Sequence, residues 1–384
     1  MFLYLPLLFA PLLAYVFLNR NLHQSSWLLL FYITILCAFV GFSDMLGGYD
    51  RYIYGELFDS TIDFIRNEGR IVDSIVFLQY SKEWGYVLIN VSIGLFTTNR
   101  YIFILCLTIL MYLLFFISIK RYATNYPLAL VLFMGLMFFF TFTYLRQVIA
   151  VGFGSLAIKY VIERKLWKFL FFVLIAFSFH NSAIILLPLY FIPIKKYSRR
   201  TIMIVMSICL FLGTSGTTNI LFGAFGGLTG TEERTAGYEE EIGFRIAYIM
   251  EASFFLFFLL KRYSQITNEK RQIVLYNMAL IFCAILLFFI KSENGGRLSW
   301  FYIVGLITSL CNILDKKKYT FDTIILLTVS LFLYLRIIFA WGTLLIPYKT
   351  FFTNGVREND AIYEKYEYDH NYATDKFYRD RLNK

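Results

Sequence analysis

The residues of this sequence best suited to chemistry stand where its apolar runs end. Arg146 and Gln147 lie in Tyr-Leu-Arg-Gln-Val-Ile-Ala at 144–150, between two apolar segments. His180, followed by Asn181 and Ser182, ends the next apolar run. Arg297 closes the hairpin 291–297, which also holds Lys291 and Glu293. Asp44 and Asp50 follow an earlier run, and Glu83, Trp84 and Tyr86 open another. An arginine at the centre of an isolated membrane helix costs about 2.5–3.5 kcal/mol on insertion scales. At a helix end the cost is smaller, because the side chain reaches the headgroups. Taken singly, Arg146 is therefore as well read as an interfacial anchor, and His180 as a helix-end cap. An arginine, an amide and an imidazole meeting at one membrane face would do more, binding an anion and moving a proton.

The elements that must position them are membrane helices. The chain of 384 residues is 59% hydrophobic and 16% charged, with a mean hydropathy of +0.62. Soluble domains carry about 25% charged residues. Apolar runs such as Tyr101–Ile119, Pro127–Thr143 and Ile273–Ile290 have the length that spans a hydrocarbon core about 30 Å thick. The expected fold class is an all-α polytopic integral membrane protein. About twelve spans are expected, near 2–18, 27–44, 101–119, 127–144, 147–162, 168–179, 183–194, 201–214, 244–260, 273–290, 298–313 and 319–335. The first run has no basic residue before it and no small-residue cleavage site, so it reads as a retained helix rather than a signal peptide. Segments 168–179 and 183–194 are short enough to be tilted, broken or merged. The five cysteines sit singly in apolar runs and read as buried small hydrophobes.

Charge sorts the connections into two sets. Arg20, Lys120–Arg121, Arg164–Lys168, Lys195–Arg200, Lys261–Arg271 and Lys316–Lys318 bring 17 basic residues against three acidic ones (Glu163, Glu269, Asp315). The positive-inside rule makes this set cytoplasmic, so the net charge of +10 needs no nucleic acid. The long connections 45–100 and 215–243 then face outward. Trp84–Phe96 would break this alternation if it crossed, so a re-entrant or interfacial helix on the outer face is expected. The domain plan is one membrane domain over 1–347 and a polar tail over 348–384, with seven basic and seven acidic residues, placed outside.

With this topology the unusual polar residues share the outer face. Clustered arginines with carboxylates there suit a lipid-linked diphosphate, because guanidinium groups hold phosphate oxygens in a bidentate manner and stabilise a diphosphate leaving group. A carboxylate or imidazole could take a proton from an incoming sugar hydroxyl. Asp50, Arg146, His180 and Arg297 are the catalytic candidates. Asp44, Glu83, Tyr86, Gln147, Arg234 and Tyr238 are the substrate-binding ones. Tyr49, Tyr52, Tyr54, Trp84 and Tyr86 could stack on sugar rings, or equally form an interfacial aromatic belt. No metal, nucleotide-loop or dinucleotide motif is present, so no cofactor is expected. Gly223–Gly230 lacks a following Lys-Ser/Thr and reads as a flexible outer loop.

Several of these stretches resemble the EpsG family of membrane proteins. Gly48-Tyr49-Asp50 with Tyr54 and Phe58 resembles its GxD…Y…F element, and Glu83-Trp84-Gly85-Tyr86 its ExGY segment. Leu145–Ala150 is similar to its RQx[IL]A signature, Phe179–Ala183 with Pro188 to its FHxSA element, and Arg297 and Pro347-Tyr348 to weaker late features. The resemblance runs from about residue 44 to 348. It implies a Wzy-type polymerase of O-antigen, capsule or exopolysaccharide in the bacterial cytoplasmic (inner) membrane. Such a protein moves a growing glycan from undecaprenyl diphosphate onto a lipid-linked repeat unit, without a nucleotide-sugar donor. A membrane architecture like the GT-C glycosyltransferases, and a chain-length regulator and a flippase as partners, belong to the same implication. Asp44 and Asp50 compete for one place in the pattern. A transporter or flippase of lipid-linked oligosaccharide and a ligase-like transferase are the rivals. A flippase should carry ionisable residues at mid-membrane, and Lys159, Glu251, Asp322 and Arg336 are scattered and unpaired in sequence.

Overall fold

A computed structural model describes residues 2–45, 48, 50–67, 69–229, 243–292, 295–314, 320–346, 348–350 and 352. Every element among them is helical, and the nearest approach to a sheet is an isolated bridge between Ser43 and Thr350. The helices are α1 (Tyr4–Phe17), α2 (Ser26–Gly41), α3 (Arg51–Arg66), α4 (Ile75–Tyr80), α5 (Trp84–Gly94), α6 (Arg100–Tyr122), α7 (Tyr126–Leu136), α8 (Phe140–Thr143), α9 (Leu145–Ile162), α10 (Leu166–Phe179), α11 (Leu187–Phe191), α12 (Arg199–Thr214), α13 (Thr217–Thr229), α14 (Ile246–Lys261), α15 (Lys270–Phe288), α16 (Ile303–Leu314), α17 (Phe321–Ala340) and α18 (Gly342–Leu345). Tight helical turns at Asn181–Leu186 and Gly295–Tyr302 lead into α11 and α16.

Among the described residues, five helical runs are long and apolar enough to cross a membrane: α6, α9, α15, Gly295–Leu314 and α17. The other expected spans are shorter or broken, so the lengths do not yield a count of twelve. Span 127–144 breaks between α7 and α8. Span 168–179 ends at His180, whose backbone is extended, and the chain restarts with Pro188 in the first turn of α11, a position that proline favours. Apolar side chains such as Ile109, Leu113, Phe171, Leu174, Phe257 and Phe332 point outward, as a lipid-facing surface requires.

The connections meet at two ends, sorted as their charge predicts. At the basic end Arg271 donates to the Arg121 carbonyl, Asn312 to that of Tyr122, Lys196 to that of Ile266, and Arg164 to those of Tyr190 and Ile192. At the opposite end the Asp44 amide bonds the Lys349 carbonyl, the Asp50 amide bonds Thr143 Oγ1, and the Arg245 amide bonds the Ile290 carbonyl. The start of the tail is pinned there too, with Tyr348 stacked 4.0 Å from Phe39. The rest of the tail and Lys316–Lys318 lie outside the described residues.

Two sequence expectations need correction. The stretch read as a flexible loop is helical from Thr217 to Thr229, with Phe222 packed 5.1 Å from Phe289. Packing of its apolar residues on neighbouring helices outweighs the about 0.5–1 kcal/mol that each glycine costs a helix. The chain turns into α13 at Gly216, whose φ of 78° favours glycine. The charged residues that looked scattered are also engaged. Asp322 takes Lys261 and Arg262 at 2.7 and 2.5 Å, and Lys159 lies 3.7 Å from Glu163.

The connection 45–100 folds into α3, α4 and α5. At 11 residues, α5 is about 16 Å long, half of what a crossing needs. Both its ends pack on neighbouring helices. Gly94 lies against Ile62 and Ile65 of α3, and Gly85 against Ser178 of α10. A Cβ at Gly85 would sit 2.2 Å from Ser178 Oγ, so only glycine allows this approach. Arg100, wholly buried at the start of α6, pairs with Asp59 and Glu56 of α3 and ties the segment down.

Candidate active site

The break at Tyr144 starts α9 so that Arg146 and Gln147 fall in its first turn. Successive helical residues point about 100° apart, and these two reach different neighbours. Arg146 turns toward α3, α4 and α5. It pairs with Glu83, lies 4.0 Å from the Tyr80 ring centre, and has Tyr54 and Tyr86 at 5.8 and 5.6 Å. The other Glu83 oxygen accepts from the Asn181 amide at 3.2 Å. Glu83 and Tyr86 are buried, so Tyr86 is a wall of this cage and presents no ring face to a sugar. Tyr52 and Tyr54 are buried as well.

Gln147 turns the other way. Its Oε1 accepts from Arg297 Nε and Nη2 at 3.0 and 2.8 Å, and its Nε2 donates to the Arg297 carbonyl at 3.2 Å. Arg297 also lies 4.1 Å over the Tyr144 ring. A doubly bonded, stacked guanidinium is held in one orientation. It is only half-buried, and it forms part of the wall of a cavity of about 420 Å³.

That cavity gathers residues that the sequence leaves apart. Arg245, Tyr248 and Glu251 come from α14 and its entry, and Arg336 from α17. Glu251 has Arg336 as its electrostatic partner. Phe140, Tyr144, Trp300 and Trp341 form an aromatic wall, with Phe140 and Trp300 stacked at 4.3 Å. These rings, rather than Tyr52, Tyr54 and Tyr86, face open space. A Cβ at Gly296 would lie 2.3 Å from the Tyr248 ring, which is how the turn at 295–302 comes so close to α14. The signal available in sequence was a charge inside an apolar helix. Nothing in sequence pairs two helices that far apart.

The two aspartates separate. Asp50 is half-buried before α3 and faces both Arg297 and Arg146. Burial raises its carboxyl above the usual range, against the pull of the two guanidinium groups. Asp44 is buried at the strap made with Lys349 and Thr350. Arg51 closes the end of α2, donating to the carbonyls of Val40, Gly41 and Ser43, groups that a helix end leaves without partners. His180 Nδ1 accepts from Ser182 Oγ at 2.6 Å and from its amide at 3.3 Å. In the neutral ring that places the proton on Nε2, and it makes His180 the cap of the turn Asn181–Leu186. Arg234, Tyr238, Tyr49 and Glu293 lie outside the described residues.

The arrangement thus offers a caged arginine, an oriented arginine, a carboxylate within electrostatic reach of both, and a charged cavity alongside. No curated protein and no solved structure matches the chain. The EpsG family model matches residues 26–350, a span that takes in every described site residue. The chain belongs to the EpsG family, whose members point to Wzy-type, glycosyltransferase-like polymerases of polysaccharide biosynthesis in membranes.

Proposed function

We propose that this protein polymerises glycans at the cavity beside Arg297. It would take a growing chain from undecaprenyl diphosphate and pass it to a lipid-linked repeat unit, on the outer face of the bacterial cytoplasmic membrane. The observation that carries this reading is the cavity itself, with Arg245, Arg297 and Arg336 on its wall and four aromatic rings beside them. Guanidinium groups bind phosphate oxygens through paired donors. In a site shielded from water they also stabilise the charge that develops on a diphosphate leaving group. Gln147 and Tyr144 fix Arg297 before substrate arrives, so little reorganisation accompanies the reaction. The aromatic wall suits sugar faces or the first lipid units. The basic turns at the other end support an outward-facing site by the positive-inside rule. The helices over 1–347 read as one membrane domain, and a flippase and a chain-length regulator of the same pathway as partners.

A charged pair inside a membrane cavity, here Glu251 and Arg336, is also what a flippase of lipid-linked oligosaccharide would use. The test is reconstitution of the purified protein in vesicles with lipid-linked repeat units, followed by sizing of the products. Polymerisation gives a ladder of lengthened lipid-linked glycans. Movement of unlengthened units across the bilayer would replace this reading with the transporter.

A further inference from the structure

Among the described residues, Glu251 is the only carboxylate on the wall of the cavity, against three guanidinium groups. It projects from α14, deep to Arg245 and Tyr248 at the entry of the same helix. The groups that face it are Arg336 from α17, Tyr248 from its own helix and Cys283 from α15. Arg245 and Arg297 share the cavity wall. His180, by contrast, directs Nδ1 to its own helical turn, and Asp50 sits beyond Arg297, outside the lining.

We propose that Glu251 is the group that takes the proton from the attacking sugar hydroxyl, with Arg336 positioning it; this rests on the diphosphate reading of the same cavity. The hydroxyl oxygen forms a bond to the anomeric carbon. The bond from that carbon to the diphosphate oxygen breaks, and its electron pair leaves with the diphosphate. The hydroxyl proton passes to the Glu251 carboxylate. Transfer adds a third negative charge to the diphosphate released, and protonation of Glu251 removes one negative charge from the wall, so the step leaves the sum of the two unchanged. A site of low dielectric penalises unbalanced charge heavily, so a carboxylate that becomes neutral as the leaving group becomes more anionic suits this reaction. A carboxylate that only neutralised Arg336 would give no such match.

The test uses full-length protein in lipid nanodiscs, with two readouts. The first is binding of undecaprenyl diphosphate, followed through the fluorescence of Trp300 and Trp341 in the cavity wall. The second is turnover with lipid-linked repeat units across pH. Glu251→Gln should lower turnover about 10²- to 10⁴-fold, the usual span of proton-transfer catalysis, with probe affinity unchanged or tighter. Formate should restore part of the turnover of Glu251→Ala and none to Glu251→Gln. Should the glutamine variant fail to fold, Glu251→Asp keeps the carboxylate one methylene back and should retain partial turnover with the wild-type pH profile. Turnover of Glu251→Gln within about threefold of wild type would overturn the proposal, as would a loss that only tracks weaker probe binding. If the wild-type protein binds no undecaprenyl diphosphate yet lengthens glycans, the diphosphate reading of the cavity falls first and takes this inference with it.

Discussion

Arg146 and Arg297 are matched in sequence, each at the turn of an apolar hairpin, yet the fold treats them differently. Arg146 is enclosed by three tyrosines and paired with buried Glu83. Its charge is already satisfied by the protein, and a substrate would have to displace Glu83 to reach it. Arg297 is held by a neutral amide and an aromatic face, and it borders open volume. That amide sets the orientation of its guanidinium. What an arginine at a membrane rim meets sets the role it suits. A carboxylate in a closed cage suits a brace, and an amide at the edge of a cavity suits the phosphate-binding role proposed for Arg297. Asp50 lies within electrostatic reach of both arginines.

The largest effect should come from the open side. Arg297→Ala removes a preoriented donor, and the loss of one such group typically costs about 10²–10³-fold in rate. Product sizing with purified protein should show polymer nearly gone, with a loss of stability limited to the about 1–3 kcal/mol of leaving the buried Gln147 amide short of its partner. On the closed side the effect should fall on stability. Glu83→Gln leaves a buried guanidinium without its counter-charge, which costs about 3–5 kcal/mol and should lower the melting temperature sharply. The double variant Glu83→Gln/Arg146→Gln should recover most of that loss, since replacing both partners of a buried pair is far milder than removing one.

A smaller effect should follow at the packing that closes the cage. Gly85→Ala pushes a methyl into Ser178, and overpacking of this kind costs about 1–3 kcal/mol. Ser178→Ala should return part of it, because the nearest atom then recedes from 2.2 to 3.0 Å. The smallest effect concerns Asp50. Its carboxyl is raised by burial, so the folded state holds the proton more tightly than the unfolded one. Stability should be fully present below the ordinary carboxylate range and fall as pH rises through the raised value. Thermal melts of Asp50→Asn across that window should lack this decline.

Much of this was legible in the sequence for definite physical reasons. Hydropathy and helix length showed α6, α9, α15 and α17, and the lysines and arginines sorted the connections into two ends that the contacts reproduce. The charge alternation predicts that α5 does not cross, because a crossing would separate Lys120 and Arg121 from the other basic connections, and its 11 residues fit that expectation. Arg146, Gln147, Arg297 and Glu83 were singled out by type and position, and the fold joins them in two adjoining clusters. The division of labour was not legible, because it depends on which residue each guanidinium meets across gaps of 63 and 150 positions. Glu251 and Arg336 looked isolated for the same reason. Helix α13 was missed because its glycines signal a loop, whereas its apolar residues pack as a helix against the bundle, with Phe222 on Phe289.

The most direct test compares Arg146→Lys with Arg297→Lys in the same preparation. Each variant is measured for melting temperature and for turnover per folded molecule with lipid-linked repeat units. A lysine keeps the charge but loses the two-pronged donor geometry. Arg297→Lys should lose most of its turnover with little change in melting temperature. Arg146→Lys should melt lower while its folded fraction turns over at near the wild-type rate. The opposite pattern, with turnover lost at Arg146 and spared at Arg297, would overturn the assignment of phosphate binding to Arg297.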